Sequence, residues 1–299
     1  MSVLLTLIKR NTKLFFKDKG MFFTALITPG ILLVLYATFL GNVYHDSFMS
    51  GIPEGIKVSE NLVDGLVGGQ LVSSIFAVSC VTIAFCSNFL MVQDRANGTA
   101  KDLLISPVKS SVLSFAYYIS SLISTLIICF VAAVVCLIYI SAIGWYMSAI
   151  DVAFMLLDIT VLVFFGTALS SVINFFLSTQ GQISAVGTII SAGYGFICGA
   201  YMPISSFGSG LQKVVSFLPG TYGTSLLRNH MLRGVFEEMS KAGLPDEVLS
   251  SMKDVVDYNI YFFGNNVNIP VMYVILGGSV AVLVVLYVLL NKIGVKHRT

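Results

Sequence analysis

Residues 66–108 read LVGGQLVSSIFAVSCVTIAFCSNFLMVQDRANGTAKDLLISPV. From Leu66 to Val92 there is no charged side chain, and a helix needs about 20 mostly apolar residues to cross a bilayer. Asp94, Arg95, Lys101, Asp102 and Lys109 then follow within 93–111. An uncharged run ending in a charged connector reads as a membrane span leaving the hydrocarbon. Composition extends the same reading to the whole chain. Of its 299 residues 56% are apolar and 11% charged, and the mean hydropathy is +0.89. A soluble domain carries about 25% charged residues. With 22 Phe and 13 Tyr there is too much apolar surface for a disordered chain.

Six stretches meet the length requirement: about 21–44, 66–92, 112–140, 151–177, 183–202 and 269–290. The expected fold is therefore all-α, one polytopic membrane domain over 1–299 with six transmembrane helices. Residues 1–20 form an interfacial helix, 93–111 a connecting loop, and 203–268 a large outer segment. Lys and Arg set orientation. Eleven of the 17 fall on the N-terminal segment, on 93–111 and on the C-terminal tail, whereas ten acidic residues fall on 45–65 and 203–268. Both termini are expected in the cytoplasm, which an even number of spans requires.

In residues 2–19, Leu4, Leu7, Ile8, Leu14 and Phe15 share one side at helical spacing, and Arg10, Lys13 and Lys17 line the other. Such a helix lies in the inner headgroup plane. In the outer segment Leu211, Val214, Val215 and Leu218 predict a short interfacial helix stopped at Pro219-Gly220. Residues 246–257 predict a solvated helix, and the cluster from Tyr258 to Asn266 an interfacial aromatic belt.

Cys80, Cys86, Cys129, Cys136 and Cys198 lie in apolar runs with no metal-ligand spacing, and read as inert buried thiols. No GxxxxGK[ST], HExxH or GxSxG occurs, so no nucleotide site, metal centre or catalytic residue is expected, and the chain is not expected to be an enzyme. Asp158 is the one ionisable residue well inside a span. Without a Lys, Arg or His in any span, pairing in the bundle or snorkelling is the expectation, and a proton relay has little to rest on.

Two spans carry stripes of small and weakly polar residues: Gln70, Ser73, Ala77, Cys80, Ala84 and Ser87 with Asn88 nearby, and Ser184, Thr188, Ser191, Gly195 and Gly199, the last two in a GxxxG. Small residues let helices approach closely in lipid. These stripes are candidates for a substrate pathway or a subunit interface, with close packing in the bundle the competing account. In 93–108, Thr99 followed by Asp102 predicts a short helix limited by Pro107, a stiff charged element suited to docking a soluble protein.

An acidic-Arg pair (Asp94-Arg95), then Gly98-Thr99, then Leu103-Leu104-Ile105-Ser106-Pro107-Val108 resembles the cytoplasmic loop after the second span in permeases of type-2 ABC transporters, the group that includes bacterial drug-resistance exporters. Gly199, Met202-Pro203, Leu218-Pro219, Tyr222 and Leu227-Arg228 are similar to that family's outer signature. Lys101 departs from it, standing where an acidic residue is common. The resemblance implies a plasma-membrane exporter subunit for an apolar or amphipathic cargo such as a drug, lipid or peptide, powered by separate ABC ATPase subunits that hold the ATP and Mg. Asp94, Arg95, Gly98, Thr99, Lys101, Leu103, Leu104 and Pro107 would couple to them. Pro203, Pro219, Tyr222 and Arg228 would shape the outer segment. A second permease copy and membrane lipid would be the other partners, with no nucleic acid and no cofactor in this chain. An ion channel or proton-coupled carrier is the alternative.

Overall fold

The computed structural model describes residues 3–50, 58–105 and 108–296. An amphipathic helix α1 (Val3–Lys17) turns Leu7, Asn11 and Phe15 inward, one residue per turn. Leu7 seats against Leu90, Met91, Leu113, Ala116 and Tyr117. Leu14, expected on that apolar face, is instead exposed, because a residue one position before Phe15 is rotated off the buried stripe. The Asp18 carboxylate then accepts the Met21 amide at 3.1 Å and opens α2 (Lys19–Leu35). A wide π turn over Tyr36–Leu40 joins α2 to α3 (Gly41–Ser50).

The centre of the fold is α4 (Glu60–Ala96), 37 residues enclosed along nearly its whole length. Around it stand α2, α6 (Ser110–Ile143), α7 (Ala149–Phe175), α8 (Gln180–Ile197) and α10 (Pro219–Lys241). Reciprocal caps start two of these. Ser148 and Asp151 exchange hydrogen bonds at the head of α7, and Thr179 and Gln182 do so at the head of α8. A short helix α5 (Thr99–Ile105) links α4 to α6. Beyond α8 come α9 (Ser209–Val215), α10, α11 (Asp246–Val255), a two-stranded hairpin pairing β1 (Tyr261–Phe262) with β2 (Asn265–Asn266), and α12 (Ile269–Lys296).

The described residues are thus helical apart from that hairpin and the connecting turns. Among them five helices are long and apolar enough to cross a membrane: 19–46, α4, α6, α7 and 269–293. The expected fifth span differs. Helix α8 runs from Gln180 and stops at Ile197, and Gly199 turns the chain with a φ of +75°, so in place of a span over 183–202 there is an 18-residue helix over 180–197, about 27 Å long, followed by a turn. The largest departure is α10. Pro219 ends nothing new but occupies the first turn of a 23-residue helix. That helix packs on α4, α7 and α12 with Leu226, Leu227, Met231, Leu232 and Val235 buried. The chain returns to where it started, since Leu4 lines the same cleft as Asn291 and Lys292.

Where α4 meets α7 the backbones nearly touch. A Cβ on Gly166 would stand 2.8 Å from the Cys80 carbonyl oxygen and 2.9 Å from Val81 Cα, both backbone atoms that cannot yield. Gly166→Val is expected to force the two helices apart and cost about 1–3 kcal/mol or more, as overpacking does. Thermal unfolding of the purified protein in detergent measures it. An unchanged midpoint would show that the two helices are not locked at this point.

Candidate functional site

A groove of about 1000 Å³ opens between α2 and α8. Thr24, Ile27, Thr28 and Ile31 form one wall, Ser184, Gly187, Thr188 and Ser191 the other, and Cys86, Phe89 and Gln93 of α4 the floor. Three of its hydroxyls spend their donors on their own helices: Thr24 donates to the Gly20 carbonyl at 2.7 Å, Ser184 to the Gln180 carbonyl at 3.2 Å and Thr188 to the Ser184 carbonyl at 2.9 Å. Among the described residues Asp18 is the one charged residue in its lining. The groove is therefore largely apolar in effect, although hydroxyl-bearing residues line it.

Ser184 and Ser191, two of the residues singled out in the sequence, face this groove. Gly195 and Gly199 do not form a helix-contact motif. The Gly195 carbonyl accepts the amides of Ala200 (2.9 Å) and Tyr201 (3.0 Å), and Gly199 lies beyond the helix, so the pair builds the turn that ends α8.

Gln70, Ser73, Ala77, Cys80, Ser87 and Asn88 of α4 are all buried inside the chain, as the close-packing account expects. Asn88 donates to Ser170 (3.1 Å) and Ser171 (2.8 Å) of α7, and Ser87 pairs with Ser121 (2.5 Å) and Thr125 (3.1 Å) of α6. Their job in this conformation is to hold α4 to its neighbours, the close-packing account. The Gln70 side chain is enclosed without a hydrogen-bond partner among the described residues.

At the end of α4 the coupling residues divide into two sets. Asp94 points inward: both its oxygens accept from Arg10 of α1 (2.8 and 3.3 Å) and one also from the Tyr117 hydroxyl (2.6 Å). Hydrogen bonds to Asp94 push Arg10 above its already high pKa, so the guanidinium stays charged and pinned. Arg10 was expected on the headgroup face with Lys13 and Lys17, of which both remain exposed. Arg95 donates to the carbonyls of Asn174 (3.1 Å), Phe175 (2.8 Å) and Leu177 (3.2 Å), where the end of α7 leaves carbonyls free. Both side chains are thus engaged within the chain, tying the end of α4 to α1, α6 and the end of α7. Gly98, with a φ of +83°, turns the chain from α4 into α5. On α5, Thr99 and Leu103 are half-buried while Lys101 and Asp102 face outward. Ile105 is 85% exposed, an apolar side chain that sequence reading passed over. The Leu104 side chain and Pro107 lie outside the described residues.

The opposite end is held by charge. Arg228 of α10, fully buried, pairs with Asp257 at 2.9 Å and donates to the Gly199 carbonyl at 2.7 Å. Asp257 also accepts the Ile204 and Ser205 amides, tying in the turn that begins at the buried Pro203. Burial pushes the Asp257 carboxyl above its ordinary range, against the opposing pull of Arg228 and those amides. Tyr222 donates to the Ser216 carbonyl at 2.6 Å, clamping α9 to the first turns of α10. Asp158 has the partner the sequence appeared to deny it. His230 of α10 stands 2.6 Å from one carboxylate oxygen, and Tyr273 of α12 donates to the other at 2.5 Å. His230 falls in the segment 203–268 that the sequence places outside the spans, and it reaches Asp158 because α10 runs against α7.

A bundle of long apolar helices of this kind is the architecture of a multi-pass membrane protein. The chain belongs to the ABC-2 type transporter family, whose family model matches residues 2–232. It is a membrane subunit of an ABC transporter, and members of the family work with ABC ATPase subunits. No curated protein matches the chain.

Breaking a buried ion pair from one side leaves an uncompensated charge. Arg228→Met is therefore expected to destabilise the protein by about 3–5 kcal/mol, whereas the double change Arg228→Met, Asp257→Leu costs clearly less than the two single losses added together. Thermal unfolding of the four variants of the cycle tests this. A loss in the double variant equal to the sum of the two single losses would mean the pair does not hold the outer segment.

Proposed function

We propose that the chain is the membrane half of an ATP-driven exporter for apolar or amphipathic molecules, working as two copies that meet across the groove between α2 and α8. The observation that supports this best is the groove itself: it opens to the side, is apolar in effect, and is walled by small residues on α8. Two such grooves facing each other would enclose a shared route between the copies. In this reading the bundle makes six passes, α8 being the short one, and both termini face the cytoplasm with α5.

The ATPase subunits would dock on the outward face of α5, with Ile105 as the apolar anchor and Lys101 and Asp102 beside it. A push on α5 would reach α4 directly and α1 through Arg10 and Asp94. At the outer surface, Phe217 and Phe263, both exposed, would rest in the headgroup zone with the hairpin.

Ile105→Asp is expected to abolish co-purification of the ATPase without affecting membrane insertion, and retention of a stimulated ATPase would refute α5 as the docking element. For the route, single cysteines in place of Ser184 or Ser191, in a chain lacking its five native cysteines, should cross-link copy to copy. Active protein giving no such product in any nucleotide state would remove α8 from the interface.

The buried Asp158–His230 pair favours a second reading, proton-coupled transport. For the exporter, transport by Asp158→Asn should follow ATP and ignore a protonophore. Transport that collapses with the proton gradient while ATP remains would shift the assignment to a carrier.

A further inference from the structure

A second cleft, of about 760 Å³, lies on the other side of the bundle between the start of α6 and the end of α12. Along it run the apolar faces of Val112, Phe115 and Val288, and at its end stand Lys109 and Lys292. Phe115 and Val288 are about half exposed, at 49% and 54%. The polar groups beneath them are already matched: Ser114 donates to Asn291 at 2.6 Å, Asn291 to the Tyr287 carbonyl at 2.8 Å, and Tyr287 to the Ser114 carbonyl at 3.1 Å. The two lysines are different. Neither forms an ion pair among the described residues, and no acidic residue lines the cleft.

A binding partner for this surface has to offer one negative charge and a long apolar body side by side. We propose that the cleft holds an anionic phospholipid, its phosphate between Lys109 and Lys292 and its acyl chain along Phe115 and Val288. Lysine stems lie well along such a surface while their heads stay at headgroup depth. A second copy of the chain fits poorly, since a symmetric contact here would set lysine against lysine. A free phosphate would leave the apolar wall unused. Calling the lipid an inner-leaflet lipid rests on the orientation proposed above, and the negative surface of that leaflet is its natural source. Because Leu4 also borders the cleft, the bound lipid would join α1 to α12 at the level where α1 braces the coupling end.

The test places a reporter in the cleft. The one native tryptophan, Trp145, lies in the connector between α6 and α7, so Trp145→Phe with Phe115→Trp gives a chain whose fluorescence reports on the cleft alone. In phosphatidylcholine vesicles doped with brominated phosphatidylglycerol or brominated phosphatidylcholine, the anionic lipid should quench several-fold more effectively. That preference should vanish with Lys109→Gln and Lys292→Gln together, and shrink at high salt. A tryptophan at Phe130, further along α6, should show no preference. Equal quenching by both lipids at position 115, or a preference that survives loss of both lysines, overturns the proposal. So does relief of quenching by inorganic phosphate at equal concentration, which would mark an anion site needing no lipid. Orientation is read separately. A cysteine in place of Lys292, in the cysteine-free chain, should react with an impermeant thiol reagent only in opened cells. Reaction in intact cells would refute the proposed orientation and the choice of leaflet, while the quenching ratio still decides the cleft.

Discussion

α4 has almost no face toward lipid, and this governs the rest of the architecture. In a bilayer there is no hydrophobic gain from burying one apolar helix among others, so a helix is enclosed only if its neighbours come close enough for dispersion and hydrogen bonds to hold it. Gly166 supplies that closeness on α7, where the Cβ of any other residue would strike the α4 backbone. Asn88 and Ser87 then supply hydrogen bonds to both flanking helices. Because α4, α6 and α7 are joined in this way, they form the part of the molecule least free to move. Helices α2 and α8, which like the outer face of α6 and most of α12 keep apolar surface facing outward, stand outside it.

Charge is spent at the two ends of this unit and hardly anywhere between. At one end Arg10, Asp94 and Tyr117 join α1, α4 and α6, and Arg95 ties α4 to the last carbonyls of α7. At the other, Arg228 and Asp257 join α10 to the turn after α8, while Asp158, His230 and Tyr273 join α7, α10 and α12. Each cluster bridges three elements, and a buried charge with its partner removed is costly. The ends of the helices are thereby fixed relative to one another more firmly than side-chain packing alone would fix them. In the proposed exporter, a displacement imposed on α5 would be carried along α4 as a whole and not dissipated at its end.

Hydropathy made the long spans legible, and charge counting separated the two ends, because both signals are sums over many residues. What remained open in the sequence depended on single contacts. Small residues on α4 fit close packing and a pathway or subunit interface alike, since a stripe that packs inward has the same composition as one that meets a partner. Asp94 and Arg95 looked like outward charges because Arg10 and the carbonyls that receive them are distant in sequence. Helix α10 was missed since Thr221, Ser225, Arg228, Asn229 and His230 make its hydropathy that of a loop. Their burial is permitted only by partners on other elements. Leu227, Met231 and Val235, at steps of four, were the available signal. The family resemblance was legible because it rested on several short motifs in order, and it covers the part of the chain that the family model matches.

The two open clefts differ in a way that bears on what each could hold. Between α2 and α8 the hydroxyls of Thr24, Ser184 and Thr188 are committed to their own backbones and Asp18 is the one charge among the described residues, so a polyanion would find among them no cation to replace its lost hydration. Between α6 and α12 the charge is positive and uncommitted. For the proposed exporter this separation has a mechanical sense. A site meant to release its cargo gains from weak, undirected contacts that change little between cargo molecules, whereas a site meant to keep a lipid gains from a fixed charge pair that the moving groove does not disturb. Lys109 and Lys292 sit on helices that the α2–α8 groove does not touch, so occupancy of one cleft leaves the other free to open and close.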